Sequence, residues 1–492
     1  MHQTIAVVGA GTMGTGIAQV AALAGHPVLL MDTAPGAAER AVALIREQVA
    51  ALVERGKLTA DPETLRLTAA DDVDALAPAD IVIEAVIEDL DVKRRLFAEV
   101  EAVVTADCVL ASNTSSLSPS AIAAGVGRPD RVVGLHFFNP VPRMRLVEVI
   151  PGAETTEAVV STVIDLVTAW GKTAVRVAPT PGFIVNRIAR PYYAEAWRLL
   201  DERAAAPETI DTVLTGAGGF PLGPFALMDL IGHDVNESVT RSVWEALGFD
   251  ARFTPAPAQR ALVASGRLGR KSGRGVYRHD VAPPEPARPA DKAPCPLEVV
   301  DNGAADLHVL LARSGVAVLD GGQDEQTLVL PSGAILIRSK GVTATELAAE
   351  HGAPVVVVDR TLDDATASAI AVAASDSCPS AALTEATGLL QAAGLDVYVL
   401  DDIPGLIVTR TVAMIVNLAV EVVQQGIASA EDVDTAMRLG AGHPLGPIAW
   451  GDRWGAGTVH EVLAGLQRSY GDPRYRPGPL LRRRALAGRT LA

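Results

Sequence analysis

His136 and Glu148, twelve residues apart, are the pair in this chain best suited to acid–base chemistry. His136 stands in the run Gly134-Leu135-His136-Phe137-Phe138-Asn139-Pro140, between an apolar stretch and an Asn-Pro break. A strand ending there presents an imidazole at its tip, where it can take a proton from a substrate hydroxyl. Glu148 closes a second short apolar stretch, and a carboxylate so placed can fix the imidazole tautomer and raise its basicity. A lone histidine is more often a hydrogen-bonded core residue, so the assignment depends on what surrounds it.

An electron acceptor is the first requirement, and the N-terminus offers a place for one. Thr4 to Val8 reads as a buried strand, followed by Gly9-Ala10-Gly11-Thr12-Met13-Gly14, a helical pattern through Leu23, and a second strand from Val28 to Met31 that ends in Asp32. Glycines in this pattern permit a tight turn and close approach of a pyrophosphate, which would sit on the free N–H groups of the helix N-terminus. Asp32, 23 residues after Gly9, is placed to accept hydrogen bonds from ribose hydroxyls. Thr33 and Ala34 follow it with no arginine, so a 2′-phosphate would meet a bare carboxylate, and NAD is expected rather than NADP. Ile81–Val86 and Val109–Ala111 read as further parallel strands with helical stretches such as Asp91 to Val103 between them, so a doubly wound pattern runs to about residue 180.

Composition sets the outer bounds. The 492 residues leave room for roughly three or four domains. A net charge of -16 argues against nucleic acid as the main partner, since phosphate-backbone affinity needs a basic face. Cys108, Cys295 and Cys378 are scattered, which predicts neither a disulfide framework nor a metal site and points to a reducing cytoplasm. Met1 to Met31 carries no Asp before position 32 and no Glu, Lys or Arg, yet it lacks a basic n-region and is broken by glycines. It is therefore expected to be a buried strand–turn–helix rather than a signal or membrane span.

Four further segments fall in order: Ala111-Ser112-Asn113-Thr114-Ser115-Ser116, LHFFNPVPRMRLVEV at 135–149, TPGFIVNR at 180–187 and LGRKSGRGVY at 268–277. With the glycine loop they closely resemble the NAD-dependent 3-hydroxyacyl-CoA dehydrogenases over residues 1–280. The resemblance implies a Rossmann-like α/β domain (1–184) followed by an all-α domain (185–280), and oxidation of an (S)-3-hydroxyacyl-CoA to the 3-oxoacyl-CoA. By motif position it implies His136 as base, Glu148 as its partner, and Ser115 and Asn186 as holders of the reacting oxygen. It also implies cofactor contacts at Gly9, Gly11, Thr12, Met13, Gly14, Asp32, Glu88, Lys93, Ser115, Asn139 and Lys271. Coenzyme A phosphates call for nearby cations, and Arg46, Arg55 and Lys57 are candidates. Gln48 and Arg55 stand where the family is expected to carry serine and lysine.

The chain is also duplicated. PGLIVTRTVAMIVNLAVEVV at 404–423 repeats PGFIVNRIARPYYAEAWRLL at 181–200, and His443-Pro444-Leu445-Gly446-Pro447 repeats Phe220-Pro221-Leu222-Gly223-Pro224, both at an offset of 223 (404 minus 181, 443 minus 220). A Pro-rich linker (281–297), expected to be extended, separates the halves. Residues 298–403 read as a shrunken, degenerate Rossmann-like remnant with strand-like runs at Leu307–Leu311 and Val355–Asp359 but no glycine loop, and 404–492 as a second all-α domain. Thr409 replaces Asn186 there, so one site per chain is expected. Single-module relatives pair through their helical domains, so the two all-α copies are expected to form an intrachain pseudo-dimer, with a homodimer of whole chains also open. The tandem form narrows the resemblance to longer bacterial enzymes of phenylacetate degradation. That implies 3-hydroxyadipyl-CoA as substrate, with 3-hydroxybutyryl-CoA of fatty acid or butanoate metabolism as the alternative. Arg143 or Arg145 could meet a terminal carboxylate. Two other classes stay open: a non-enzymatic NAD-binding protein on this fold, and a small hydroxy-acid dehydrogenase that does not use coenzyme A.

Overall fold

A computed structural model of the chain describes residues 3–281, 285–322 and 325–492. Two compact units emerge, Met1–Arg187 with Gln425–Ala441, and Ile188–Gln424 with Gly442–Ala492.

The first unit is built on strands β1 (Ile5–Val8), β2 (Val28–Met31), β3 (Leu67–Ala70), β4 (Ile81–Glu84), β5 (Val109–Ser112), β6 (Val132–Phe137), β7 (Leu146–Pro151) and β8 (Thr173–Arg176). They form one sheet in the order β3-β2-β1-β4-β5-β6-β7-β8, parallel throughout except for the antiparallel pair β6–β7. Helices α1 (Thr12–Leu23), α2 (Ala37–Glu54), α3 (Leu90–Val103), α4 (Pro119–Ala123) and α5 (Glu157–Ala169) lie between the strands, and the short α6 (Val185–Ile188) follows β8. The unbroken apolar runs explain this layering. In β1, Ile5 and Val7 pack with Ile17 and Ala21 on one face of the sheet, while Ala6 and Val8 pack with Leu96 and Phe97 on the other. A strand buried on both faces needs helices on both, as crossover connections supply.

The second unit opens with helices α7 (Arg190–Asp201), α8 (Pro207–Gly216), α9 (Pro224–Ile231), α10 (His233–Ala246) and α11 (Pro257–Ala264). Of the linker, residues 282–284 lie outside the described residues; the rest carries no helix or strand up to Leu297. It runs along the following sheet, with Ala290 N–H donating to Val397 O at 2.7 Å and the Gln391 amide donating to Ala290 O at 3.1 Å. That sheet holds β9 (Glu298–Asn302), β10 (Ala317–Asp320), β11 (Thr327–Val329), β12 (Ile335–Arg338), β13 (Val355–Val358), β14 (Ala369–Ala374) and β15 (Asp396–Val399), in the order β10-β9-β11-β12-β13-β14-β15. Its helices are α12 (His308–Ser314), α13 (Ala344–His351) and α14 (Ser380–Ala392). The chain ends with α15 (Val408–Gln424), α16 (Ala430–Gly440), α17 (Pro447–Trp454), α18 (Ala456–Tyr470) and α19 (Pro479–Leu486), of which α16 belongs to the first unit.

The duplication survives residue for residue. Strand β14 repeats β7, α14 repeats α5, β15 repeats β8 and α17 repeats α9, each at the offset of 223 (369 minus 146, 380 minus 157, 396 minus 173, 447 minus 224). The run β12–β15 keeps the parallel, antiparallel, parallel pattern of β5–β8. What is lost is the dinucleotide half: β11 pairs antiparallel to both neighbours where β4 is parallel to both. The strand expected over Leu307–Leu311 is instead a 3-10 turn leading into α12. Leu307, Leu310 and Leu311 are the buried positions, a helical spacing that so short an apolar run does not distinguish from a strand.

Packing between copies is reciprocal. Helix α8 of the first copy lies on β14 of the second sheet, and α16 of the second copy lies on β7 and β8 of the first. Helices α7 and α15 pack together around Arg410, which is 0% exposed and reaches Glu195 and Glu202 at 3.0 Å each and the Tyr475 hydroxyl at 2.7 Å. A guanidinium this deep is tolerable only because every face of it meets an acceptor. Among the described residues no helix is long and apolar enough to cross a membrane.

One substitution between the copies makes stability depend on pH. His443 stands where the first copy has Phe220 (443 minus 223), packs edge-on against that ring at 5.2 Å, and has no hydrogen-bond partner for its buried Nδ1. Burial pushes its pKa from 6.5 down to about 3. The unfolded chain therefore binds a proton that the folded chain refuses, and stability is complete above 6.5 and falls as pH drops below it. The unfolding free energy from urea titrations should decline between pH 6.5 and 5 with a slope of up to about 1.4 kcal/mol per pH unit from this group. His443→Phe should flatten that decline; an unchanged slope would count against the assignment.

Candidate active site

The antiparallel register of β6 and β7 sets His136 directly opposite Glu148. Their side chains meet at 2.7 Å, Nδ1 to Oε2, with His136 6% exposed and Glu148 fully buried. Facing a carboxylate, Nδ1 carries the proton, which leaves the Nε2 lone pair as the acceptor. The rings of Phe138 and Phe183 pack against the imidazole at centroid distances of 4.5 and 5.8 Å, fixing its plane.

The second oxygen of Glu148 is occupied as well. Oε1 accepts the backbone N–H groups of Ile184 (3.0 Å) and Val185 (3.1 Å), at the start of α6. The turn that delivers them is unusual: Gly182 has φ 76 and Phe183, a non-glycine, has φ 47. Left-handed backbone costs a phenylalanine energy, and the turn holds it through Phe183 N–H to Thr180 O at 3.0 Å. Asn186 follows directly, so one carboxylate orients the imidazole and anchors the turn carrying the next polar residue. The second copy keeps this turn, with Gly405 at φ 78 and Leu406 at φ 49, but supplies the carboxylate differently. Ala371 stands at the Glu148 position (371 minus 223) and Asp359 at the His136 position (359 minus 223). Asp359 alone accepts the N–H groups of Ile407, Val408 and Thr409 at 2.8–3.0 Å. Two residues in the first copy have become one, and the imidazole is what is missing.

At the end of β4 and β5 lies a second network, which joins the expected Glu88, Lys93 and Ser115 to two residues the sequence did not single out, Glu84 and Asn113. Glu84, at the tip of β4, accepts Lys93 Nζ and Ser112 Oγ, each at 2.6 Å. Lys93 is 1% exposed and also reaches Glu88 at 3.3 Å. Glu88 gathers the loop after β5, accepting from Thr114 Oγ1 (2.7 Å), the N–H groups of Ser115 and Ser116 (2.9 Å each) and the Ser115 hydroxyl (3.3 Å). Burial alone would raise the Glu88 carboxyl, but Lys93 and the hydrogen bonds outweigh it and hold the pKa below the ordinary 4.5. Asn113 completes the frame, its side-chain oxygen accepting Phe137 N–H at 2.8 Å, which ties the serine loop to the residue after His136. The strand-end glutamate in IVIEAV and the asparagine before Thr114 were the available signals for these two.

The residues present fit a dinucleotide. A Cβ on Gly14 would stand 1.7 Å from Gly9 O and one on Gly9 2.6 Å from Ala85 O, whereas Gly11 faces open space. Its neighbour α1 starts with no side-chain cap, so its first N–H groups are free for an anion. Asp32 sits at the end of β2, accepts the N–H groups of Ala10 (2.7 Å) and Ala34 (2.8 Å), and lines a 430 Å³ pocket with Gly9, Gly11, Val86 and Arg95. On the other side of the glycine loop runs a 1120 Å³ cleft lined by Thr12, Gln48, Arg55, Lys57, Asn139 and Arg143, among others. Arg46, expected beside them, is absent from this lining: the cleft face of α2 is formed by Leu44, Gln48, Ala51, Leu52 and Arg55, a helical spacing that turns Arg46 elsewhere. Buried Lys172, which the sequence did not flag, donates to Val141 O (2.5 Å) and Met144 O (2.8 Å) and so fixes the loop carrying Arg143. Lys271 lies in the second unit, where it meets Asp234 at 2.6 Å and its loop is anchored by Asp229, which accepts the N–H groups of Val276 and Tyr277.

Comparison with known proteins agrees with this layout. Residues 4–180 match the NAD binding domain of 3-hydroxyacyl-CoA dehydrogenases, residues 182–279 and 405–491 match their C-terminal domain, and residues 336–404 match the reduced Rossmann-fold domain of 3-hydroxybutyryl-CoA dehydrogenase. The chain is 46% identical to the 3-hydroxyadipyl-CoA dehydrogenase of Escherichia coli (strain K12), over 98% of both chains. It is 42% identical to a probable 3-hydroxybutyryl-CoA dehydrogenase of Bacillus subtilis, over 56% of this chain and 97% of that one. A crystal structure of 3-hydroxybutyryl-CoA dehydrogenase from Escherichia coli K12 superposes with a TM-score of 0.91 at 44% identity, covering 99% of each chain.

The two copies predict separable roles for Glu148. Glu148→Ala removes the acceptor for two N–H groups at a buried helix start and should lower stability by about 1–3 kcal/mol. Adding His136→Asp recreates the Asp359/Ala371 arrangement and should restore part of that loss in thermal melts, without restoring catalysis. A double variant no more stable than Glu148→Ala alone would show that the capping does not transfer.

Proposed function

Because the chain belongs to the 3-hydroxyacyl-CoA dehydrogenase family, we propose that it oxidises (S)-3-hydroxyacyl-CoA to 3-oxoacyl-CoA, with NAD as the hydride acceptor and His136 as the base. The observation that carries this reading is the buried 2.7 Å His136–Glu148 pair in the same unit as the glycine loop and Asp32. When bound, NAD supplies the acceptor for the hydride leaving C3. The chain's own residues handle the proton and the charge. Nε2 of His136 takes the hydroxyl proton, and Glu148, fixed by three N–H donors, stabilises the imidazolium that forms. Ser115 and Asn186 hold the reacting oxygen as it becomes a carbonyl. Glu88 keeps the Ser115 loop in place, and Lys93 acts through Glu88. Gly9, Gly11, Thr12, Met13, Gly14 and Asp32 receive the pyrophosphate and ribose, and Asn139 contributes a further cofactor contact.

Arg55, Lys57 and Arg143 line the large cleft and take the phosphates and polar stem of coenzyme A. The full-length likeness to a 3-hydroxyadipyl-CoA dehydrogenase supports a six-carbon dicarboxylic acyl group in a cytoplasmic catabolic role, and the equally full-length likeness to a structure named 3-hydroxybutyryl-CoA dehydrogenase keeps butyryl as the alternative. The reciprocal packing of α8 on β14 and of α16 on β7, with α7 against α15, supports a pseudo-dimer within one chain, since an isologous interface repeats each contact in both directions. The helical faces so used are not available for pairing, so a homodimer of whole chains would use another surface.

His136→Ala should reduce kcat by about 10²–10⁴-fold, the usual contribution of a positioned base, while leaving NADH affinity by fluorescence near that of the parent. Retained turnover with lost cofactor binding would refute the assignment. For Arg143→Ala, an equal fall in kcat/KM with 3-hydroxyadipyl-CoA and 3-hydroxybutyryl-CoA places Arg143 on the coenzyme A moiety. A fall confined to the adipyl substrate would assign it to the terminal carboxylate instead.

A further inference from the structure

We infer that helix α16, which belongs by sequence to the degenerate second copy, is a working part of the first copy's active site: the segment Gln425–Ala441 positions Glu148 and the turn that precedes Asn186. The inference rests on the dehydrogenase reading above.

The segment is integrated into the catalytic unit along its length. Ala178 N–H donates to Ile427 O at 2.8 Å, and Arg187 donates to the Gln425 side-chain oxygen at 3.0 Å, so both ends of the 178–187 turn are tied to it. Helix α16 then crosses β7 and β8. It packs tightly at Gly440, where a Cβ would stand 2.5 Å from Leu146 Cδ2 and 2.9 Å from Val185 Cγ2. These two neighbours are not arbitrary. Leu146 lies two residues before Glu148 on β7, hence on the same face of the strand, and Val185 provides one of the N–H groups bound to Glu148 Oε1. Glycine at 440 therefore lets the helix seat directly against both sides of the Glu148 anchor. A side chain there must displace Leu146, Val185 or the helix, and any such shift passes to the carboxylate that orients His136.

A comparable glycine-to-strand contact, one position off in the repeat (440 minus 216 is 224), occurs away from the site and provides a control. Helix α8 sets Gly216 against Ala369 of β14, where a Cβ would stand 2.6 Å from the alanine Cβ. No imidazole pair lies behind that contact, since Ala371 occupies the glutamate position.

The test compares Gly440→Val and Gly216→Val with the parent in the full-length chain. Steady-state kinetics are measured with NADH and acetoacetyl-CoA, together with cofactor affinity and thermal melts. Both variants should melt at lower temperature. Only Gly440→Val should lose kcat, by about 10-fold or more, because misplacing a catalytic group by about 1 Å can cost about 10²-fold. Its NADH affinity should stay within about 2-fold of the parent, and its kcat–pH profile should shift on the limb set by His136. Gly440→Ala, with the smaller side chain, should give a graded version of the same loss and serves where the valine variant does not fold. Parent-like kcat and pH profile in both Gly440 variants, or equal kcat losses in Gly440→Val and Gly216→Val, would overturn the inference. A parent that does not oxidise NADH at all would instead defeat the dehydrogenase reading.

Discussion

Glu148 is the point on which the rest of the site depends. A fully buried carboxylate is expensive unless each oxygen is satisfied, and here one oxygen takes the His136 proton while the other takes two N–H groups from a helix start. Those donors exist only because the 180–184 turn adopts a left-handed phenylalanine, and they are in reach only because β6 and β7 run antiparallel. The single break in an otherwise parallel sheet is thus what places an imidazole and a glutamate side by side. In a parallel pairing the two strands would be related by a crossover, and a twelve-residue spacing could not bring them into register.

The duplicated half clarifies which of these features serve folding and which serve chemistry. The turn, the helix start and a carboxylate beneath it are present in both copies, so they are requirements of the architecture. The imidazole is present in one. Asp359 satisfies the helix start from the histidine's own position, with a shorter side chain and no partner to share, and burial raises its pKa where hydrogen bonds from Thr409, Val408 and Ile407 pull the other way. Once no base was needed, one residue could do structurally what two do in the working copy. The same reasoning explains the loss of the dinucleotide half of the second sheet: a glycine loop and a ribose-binding acid contribute nothing to a core, while β12–β15 are needed to bury α8 and α14.

Much of this was legible in the sequence, and the exceptions have physical causes. The strand–glycine–helix–strand–acid order, the His136–Glu148 pair and the offset of the repeat could all be read, because each depends on local spacing. Strand β2 and helix α1 fall where periodicity puts them. Glu84, Asn113 and Lys172 escape a sequence reading since their partners lie 9 to 31 residues away and are side-chain atoms, a strand N–H or loop carbonyls that no local pattern announces. Arg46 lies outside the cleft lining because the helical face, and not charge alone, decides which side chains of α2 reach it. The strand expected at Leu307–Leu311 failed because five apolar-rich residues fit two periods equally well.

Reading the second half as a remnant also understates it. A helix that must lie permanently on β7 and β8 can come from a second chain or from the same one. Within one chain the partner helix is held at an effective concentration set by the connecting segment rather than by the amount of protein present. Association of separate chains costs several kcal/mol in translational and rotational freedom that an intrachain copy does not incur each time the site forms. On the proposed reading, what selection could not discard in residues 298–492 was therefore not a second reaction but a surface: the sheet that receives α8, and through the same helical pair, the helix that closes the back of Glu148. The degeneration of the copy stops where that contact begins. Gly440 remains small enough to seat against Leu146 and Val185, whereas the second sheet keeps neither the glycine loop nor the imidazole.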